Sequence, residues 1–274
     1  MTSKSTAPIL LASTLAIALP TCQAAEAPAE PQRPWSLSLM TGALRVPDFE
    51  GSRTSHNQFA IGFDASYRTE NFGTFSAGRK GLSWAPIETE TLRAGLALDG
   101  DDGREEHNPS GFWHLASRPG ADRLKGLGRL ASTPMLSVFA EKQFLGFGAS
   151  AKFSRATRDN RGSLIQLGLA RPIPLGEKLA TTPSLSLTWA DDQYMQAHYG
   201  VTAGQAAASH YPTFQAKAGI KSVDANLLTT YSLNKNWSLL QLIGLSHLTG
   251  DAAHTPITEK RTLLSTAIGI SYAF

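Results

Sequence analysis

The side chains that could do chemistry in this sequence are few and widely spaced. No two of the seven histidines have the helical spacing that presents a pair of metal ligands. Two neighbouring aspartate pairs, Asp101–Asp102 and Asp191–Asp192, could hold a hard cation, although solvated loop charge is the simpler interpretation. No glycine-rich phosphate loop opens a helix, and a Ser–His–Asp triad needs geometry that spacing does not define. We therefore predict no catalytic residue, no metal site, no cofactor and no enzyme activity.

The composition excludes several protein classes. The chain has 274 residues with 25 Lys and Arg against 22 Asp and Glu, a net charge of +3 and a single Cys. These values do not fit a disulfide scaffold, a disordered low-complexity protein or a basic protein that binds nucleic acid. The longest nearly apolar run, residues 9–20, is shorter than the roughly 20 residues of a membrane-spanning helix.

The first residues have the pattern of an export signal. Lys4 precedes an apolar run, and the small residues around Ala24 offer a cleavage site. We predict a signal peptide over 1–24 that is cleaved after Ala24, followed by a flexible proline-containing leader over 25–34. The alternative is a lipoprotein signal in which Cys22 accepts the lipid.

Alternation with a period of two runs through most of the remaining chain, which predicts β-strands. Between residues 57 and 68 one face carries Phe59, Ile61 and Phe63, and the other carries mainly small and polar residues. Twelve strands are predicted, although ten are possible because 72–80 is weakly patterned and 236–248 has apolar residues on both faces. The predicted strands are 35–46, 57–68, 72–80, 90–99, 133–142, 145–155, 162–171, 180–190, 213–220, 222–233, 236–248 and 261–273.

A secreted chain made of strands is either a soluble sandwich or a barrel in the outer membrane. The less apolar faces here are rich in Gly, Ala, Ser and Asn and poor in the Lys and Glu that cover a sheet facing water. Several predicted strands have the roughly 9–11 residues of a tilted membrane strand. We therefore predict an all-β fold, an antiparallel transmembrane β-barrel over 35–274, with outer-membrane lipid around it and no nucleic-acid partner.

The C-terminus carries a distinct signal. Phe274, Tyr272, Ile270 and Ile268 share one face of the last predicted strand. A terminal Phe with apolar residues at steps of two resembles the assembly signal of bacterial outer-membrane barrels. The resemblance implies that the barrel-assembly machinery of the outer membrane is a partner.

Several stretches in order resemble the MipA/OmpV family, the MltA-interacting proteins of Gram-negative outer membranes. The most specific runs from Thr188 to Met195 and continues through Tyr199-Gly200-Val201-Thr202. Others are 124–128, 218–223 and 250–257. An early loop resembles the family pattern P-D-Y-E-G-S, with Phe in place of Tyr: Pro47, Asp48, Phe49, Glu50, Gly51 and Ser52.

The resemblance implies a role as well as a fold. It implies a scaffold that joins a murein lytic transglycosylase to a bifunctional penicillin-binding protein, without catalysis of its own. The alternative is a narrow solute channel or a surface adhesin. In the channel, the inward-facing charges would line the lumen or pair and plug it: Asp64, Arg68, Arg93, Lys152 and Asp224.

The strand count also predicts where the long connections lie. If twelve strands hold as predicted and both termini are periplasmic, the connections 100–132 and 191–212 are periplasmic as well. We expect them to form the surface that meets the murein enzymes, because aromatic and Arg side chains are frequent interface anchors. The predicted partner-binding residues are Arg104, Leu127, Tyr194, Met195 and Tyr199. A miscount of one strand would place both connections outside the cell and favour the adhesin.

Overall fold

The computed structural model describes residues 33–104, 106, 121–159 and 161–274. The predicted signal peptide, its Cys22 and most of the leader lie outside these residues. His107 and His114 lie outside them too.

The described chain forms one antiparallel sheet that closes on itself. Each wall strand pairs with its neighbour along the chain, and the sheet closes where β1 pairs with β13. The short β9 (Ile173–Pro174) pairs with β10 inside the connection that follows β8. The predicted barrel of about twelve strands is therefore confirmed. The wall strands are β1 (Trp35–Pro47), β2 (Ser55–Thr69), β3 (Gly73–Gly78), β4 (Gly81–Glu88), β5 (Leu92–Asp101), β6 (Thr133–Phe144), β7 (Phe147–Ala156), β8 (Ser163–Ala170), β10 (Leu179–Ala190), β11 (Gly219–Ser232), β12 (Trp237–Leu248) and β13 (Thr262–Ala273).

The apolar and the polar residues that alternate in the sequence lie on opposite faces of the barrel wall. Phe59, Ile61 and Phe63 of β2 point outward and are exposed. Apolar side chains on the outer face are stable only against lipid, and closure pairs the backbone groups that lipid cannot solvate. Small residues let strands approach on the inner face: a Cβ at Gly42 would lie 2.3 Å from the carbonyl oxygen of Ile268.

The strand prediction contains two errors, one missed strand and one false strand, which cancel in the strand count. The sequence prediction missed β4, which contains Pro86 at an irregularity of the β4–β5 ladder between Trp84 and Ile87. Proline interrupts a strand pattern because it cannot donate to the ladder. The predicted strand 213–220 is mostly irregular, and its Phe214 makes only an isolated bridge to Val201.

The missed β4 reverses the predicted position of the long connections, because it adds one strand before both of them. The antiparallel strands alternate in direction. The connections 102–132 and 191–218 therefore lie at one end of the barrel, and the start of β1 and the end of β13 lie at the other. The expectation that they share the end of Trp35 and Phe274 is wrong. We call their side the loop end and the other side the turn end, which holds the short connections 70–72, 89–91, 145–146, 171–178 and 233–236.

The turn end also carries a belt of aromatic side chains. Trp35 pairs with Tyr67 and Trp237 pairs with Tyr272, and the ring of Trp84 stacks on Phe75. Such belts mark the interface between the bilayer and water.

The helices are short and all belong to the loop end. They are α1 (Asp192–Tyr199), α2 (Ala203–Ala208) and α3 (Gly250–His254), with a 3₁₀ helix over Ala121–Leu124. Among the described residues, no helix has the length and hydropathy to span a membrane.

Candidate functional site

The connections of the loop end fold into one packed layer, which we call the cap. The cap consists of 48–54, the described part of 102–132, 191–218 and 249–261. Its apolar side chains form the buried core of the described molecule, in two clusters. One contains Ala190, Tyr194, Met195, Tyr199, Ala216, Leu248, Ala252 and Ala253, and the other contains Leu124, Leu127, Val201, Tyr211 and Ile257.

Helix α1 is fixed in the cap by hydrogen bonds at both ends. The Asp191 carboxylate accepts from the backbone N–H of Tyr194 at 2.9 Å, which satisfies a free donor of the first turn. Gly162, with φ of +82°, lies against the same carboxylate, where a Cβ would be 2.1 Å from its Oδ1. The Gln196 side chain accepts from the backbone N–H of Ala216 at 3.0 Å. The helix is therefore tied to the far end of its own connection and lies against Gly162 in the connection between β7 and β8.

The family-like loop, Pro47 to Ser52, turns back onto the cap rather than into solvent. Asp48 lies 2.9 Å from the Nδ1 of His56, and both side chains are almost fully buried. Asp48 also accepts from Thr54. The Gly51 carbonyl accepts from the backbone N–H groups of Glu259 and Lys260 at 2.9 Å each. This loop thus joins the start of β2 to the last connection of the cap.

An ion pair links the same loop to the barrel wall. The Glu50 carboxylate pairs with the ammonium group of Lys221 on β11. Burial raises the pKa of Glu50, but the charge and hydrogen bond of Lys221 outweigh it, so the pKa is below its ordinary value. Burial and the nearby Glu50 charge raise the pKa of Tyr199 well above its ordinary value. This tyrosine is therefore neutral at physiological pH, and its hydroxyl has no partner among the described residues.

A second polar group holds the β5–β6 end against α1. The Nε2 of His198 lies 2.8 Å from the Oδ2 of Asp101, and its ring stacks on Tyr194 with centroids 4.1 Å apart. Arg104 donates to the His198 carbonyl at 2.8 Å. Burial lowers the pKa of Arg104, although the group stays cationic. These contacts are short, buried and internal, as expected of groups that fix a conformation.

The predicted partner-binding residues come together in the cap, but inside it. Leu127, Tyr194, Met195 and Tyr199 are all buried, and Arg104 is partly buried against α1. In this conformation the four buried side chains do not reach a partner's surface. The sequence reasoning missed that the same connections contain a capping box, Thr202 with Gln205, which signals a folded segment.

The five charges predicted to face inward all lie on the inner face of the wall. Arg93 pairs with Glu141 at 3.2 Å, Arg68 pairs with Glu88 at 2.6 Å, and Lys152 pairs with Asp99. Other inner-face pairs are Asp64 with Arg79 at 3.2 Å and Asp224 with the Ser222 hydroxyl at 3.0 Å. The lumen is thus lined by charges that are paired on adjacent strands or across one intervening strand, and by the Asp224 carboxylate, which accepts from a hydroxyl of its own strand.

A cavity of about 450 Å³ opens at the turn end. It lies between the β2–β3 and β4–β5 turns and is lined by Arg68, Asn71 and Glu88, with Glu70 and Glu90 at the turns themselves. Arg68 and Glu88 pair with each other, so the cavity has an excess of negative charge from the two exposed turn glutamates.

The predicted assembly signal lies on the outer face of β13. Tyr272 contacts the rings of Trp237 and Phe274, each with centroids 4.8 Å apart. The backbone N–H of Phe274 donates to the Leu37 carbonyl at 3.0 Å, next to the β1–β13 seam. Ile268 and Ile270 continue the same face. Whether the assembly machinery reads this surface stays a prediction.

In the described ranges, no three His, Cys, Asp or Glu side chains come together in a way that could hold a metal ion.

Comparison with known proteins gives one family. The model of the family described as MltA-interacting protein MipA matches residues 39–274. No curated protein sequence matches the chain. Among solved structures, an outer membrane channel from Pseudomonas putida F1 has a TM-score of 0.43 and 11% identity and covers 94% of this chain and 100% of that one.

Two further solved structures are similar in the same limited sense. The anion-selective porin from Comamonas acidovorans has a TM-score of 0.42 and 10% identity, with coverage of 88% of this chain and 98% of that one. OmpT of Vibrio cholerae has a TM-score of 0.38 and 10% identity, with coverage of 88% and 97%.

Proposed function

Because the chain belongs to the MltA-interacting protein MipA family, we propose that it is a non-catalytic outer-membrane scaffold for murein-remodelling enzymes. Its partners in this proposal are a murein lytic transglycosylase and a bifunctional penicillin-binding protein, held by surface contact. The outer-membrane location follows from the family and from the lipid-facing barrel.

The topology carries the proposal, and it moves the contact surface from the long connections to the turn end. Outer-membrane barrels keep short turns in the periplasm and longer loops outside. All four connections of the cap lie at the loop end, and their conspicuous side chains are buried in mutual contacts. An enzyme in the periplasm would therefore meet the short turns. The cap, placed at the cell surface, favours the adhesin alternative by the same argument.

The cavity between the β2–β3 and β4–β5 turns is part of that surface. Glu70 and Glu90 are exposed beside it, and neither makes an ion pair among the described residues. Unpaired carboxylates at the mouth of a cavity favour Lys or Arg side chains of a partner, because opposite charge sets the association rate and the orientation of docking.

Binding of the purified barrel to a lytic transglycosylase tests the proposal. We expect the double variant Glu70→Lys with Glu90→Lys to weaken binding at least about tenfold, since each substitution replaces an attraction with a repulsion. The matched control is Glu177→Lys, which reverses an exposed charge in another turn at the same end. Equal binding of all three proteins would contradict the assigned surface. Loss of binding on deleting 194–210 in an assembled barrel would instead assign the contact surface for the transglycosylase to the cap.

The paired charges of the lumen favour a narrow channel as the second candidate. Charges inside a membrane barrel need water or partners, and the inner face offers ion pairs between strands rather than an apolar core. A steady current in planar bilayers that a solute blocks would support the channel. A barrel that binds the transglycosylase and conducts no current would exclude the channel and keep the scaffold as the proposed function.

A further inference from the structure

The barrel wall is much lower at the β3–β4 hairpin than beside it. Ladder pairs between β2 and β3 run from Thr69–Gly73 to Asp64–Gly78, where the hairpin turns. In contrast, the β2 pairs with β1 continue to Ser55. Among the described residues, nothing pairs with the other edge of β2 from Ser55 to Phe63. We call this opening, above the hairpin tip and beside β2, the wall gap.

The wall gap lies at the depth of the bilayer. A strand rises about 3.3 Å per residue and tilts by about 40°, so an apolar band of about 25 Å corresponds to about ten residues. Counted from Tyr67 in the aromatic belt, that band ends near Asn57, whereas the hairpin tip is level with the middle of β2. Within the described part of the chain, the gap therefore opens the lumen sideways to hydrocarbon, not merely to water above the membrane.

Solvent exposure along β2 agrees with a missing neighbour. Ile61 is 81% exposed, more than any other large apolar side chain on a described strand, and Phe59 is 60% exposed. A side chain with neighbours on both sides loses surface to each, but Ile61 has the neighbouring strand β1 only. These two side chains form an apolar rim along the gap.

The free edge of β2 also presents backbone groups. The Ala60 carbonyl accepts from Thr41 on β1, so even-numbered residues of this stretch point their N–H and C=O groups toward β1. In an antiparallel strand successive residues alternate, and Asn57, Phe59 and Ile61 therefore point theirs into the gap. Each such group costs several kcal/mol when left unpaired in hydrocarbon, so water or a polar group must reach this edge of β2 when an apolar chain occupies the gap.

The floor of the gap is cationic. Arg79 at the hairpin tip pairs with Asp64, and its stem packs on β2, where a Cβ at Gly62 would lie 2.7 Å from the Arg79 Cδ. Lys80 beside it is exposed and has no ion pair or hydrogen bond among the described residues. The two carboxylates that attract its charge, Glu141 and Asp64, already pair with Arg93 and Arg79. Lys80 therefore contributes one positive charge without an ion-pair partner among the described residues, at the level of the hairpin tip.

We propose that the wall gap is a lateral binding site for an anionic single-chain amphiphile that enters from the bilayer. The acyl chain lies along Phe59 and Ile61, the anionic head pairs with Lys80, and water or the head group satisfies the backbone of β2. A second copy of this chain is a poor occupant. In the same membrane orientation its β2 would run parallel to this one with the same edge facing it, so the two free edges could not form a regular ladder.

Photoreactive palmitate in phosphatidylcholine nanodiscs tests the site with the full mature barrel. We expect saturable labelling of peptides that contain 57–63 and 79–82, with half-saturation at least about tenfold higher in Lys80→Gln. The control Lys142→Gln removes an exposed charge on the outer face of β6 and should label like the unmodified protein. Palmitate should compete and uncharged hexadecanol should not. Labelling that does not depend on Lys80, or that spreads evenly around the barrel, overturns the proposal. Binding of a peptide strand in the gap in place of the amphiphile would overturn it as well.

Amide hydrogen exchange supplies a readout that does not depend on the Lys80 variant. Without ligand, the amides of Asn57, Phe59 and Ile61 should exchange rapidly, while those of Gln58, Ala60 and Gly62 should be protected by β1. Palmitate should slow the first set alone. Protection of the first set without palmitate would mean that the gap is filled by the protein itself and would also overturn the proposal. Neither result depends on whether the turn end binds a murein enzyme.

Discussion

Met195 is the residue at which the stability of the cap can be measured most directly. It is fully buried in the cluster formed with Tyr194, Leu248 and Ala252, and it lies on α1 far from the lipid face of the wall. Met195→Ala removes three heavy atoms from a site with no solvent contact. Substitutions of this kind cost about 2–5 kcal/mol, because the surrounding atoms collapse only partly into the cavity. We expect the cap to open more often while the barrel wall stays folded.

Limited proteolysis of the purified barrel measures that opening. When reclosing is faster than cleavage, the cleavage rate follows the population of the open cap. A loss of about 2 kcal/mol then raises cleavage within 191–218 by roughly 30-fold, since each 1.4 kcal/mol is a factor of ten. Gln193→Ala on the exposed side of α1 is the matched control and should change the rate by less than about threefold. Equal rates for the two variants would refute the assignment of Met195 to a packed core.

Three further outcomes follow from the same contacts. The cap should open progressively as the pH falls from the ordinary glutamate pKa of about 4.3 toward the lowered pKa of Glu50 in the folded cap, because protonation there removes the stability that the ionised carboxylate contributes; in Glu50→Gln this contribution to the pH dependence of proteolysis should be absent. Gly51→Ala should destabilise the cap by about 1–2 kcal/mol in the same assay, because φ is +99° and the new Cβ would meet the Thr258 hydroxyl at 2.7 Å. Removing Phe274 should lower the amount of folded barrel in the outer membrane, measured as the heat-modifiable band on a gel; an unchanged band would contradict an assembly role.

The sequence predicts the faces of the wall better than the ends of its strands. Alternation in β2 and β13 assigns each side chain to lipid or lumen, because a period of two is a property of the strand itself. Strand ends depend on neighbours that alternation does not show. Pro86 hid β4, which the ladder accommodates at an irregularity, and Phe214 suggested a strand where the chain makes a single bridge.

The buried position of the predicted partner residues has a similar cause. Tyr194, Met195 and Tyr199 have the composition of an interface anchor, but the same side chains are equally suited to a small core. Their spacing of one, four and five residues places them on one side of α1, where they pack beneath α3 and the end of β12. Sequence alone does not reveal which of the two uses applies, because the covering element is more than fifty residues away.

The motifs that identify the family therefore mainly stabilise the fold of the cap. Asp48 holds its connection to the start of β2, Gly51 holds it to the last connection of the cap, and Asp191 starts the helix that fills the centre. Residues committed to such internal bonds are poorly placed to recognise a partner, because each would have to break a buried contact first. It follows that partner specificity should be sought in residues that the motifs leave out, namely the exposed turn glutamates and the free edge of β2. Two barrels could then share every motif and still bind different partners.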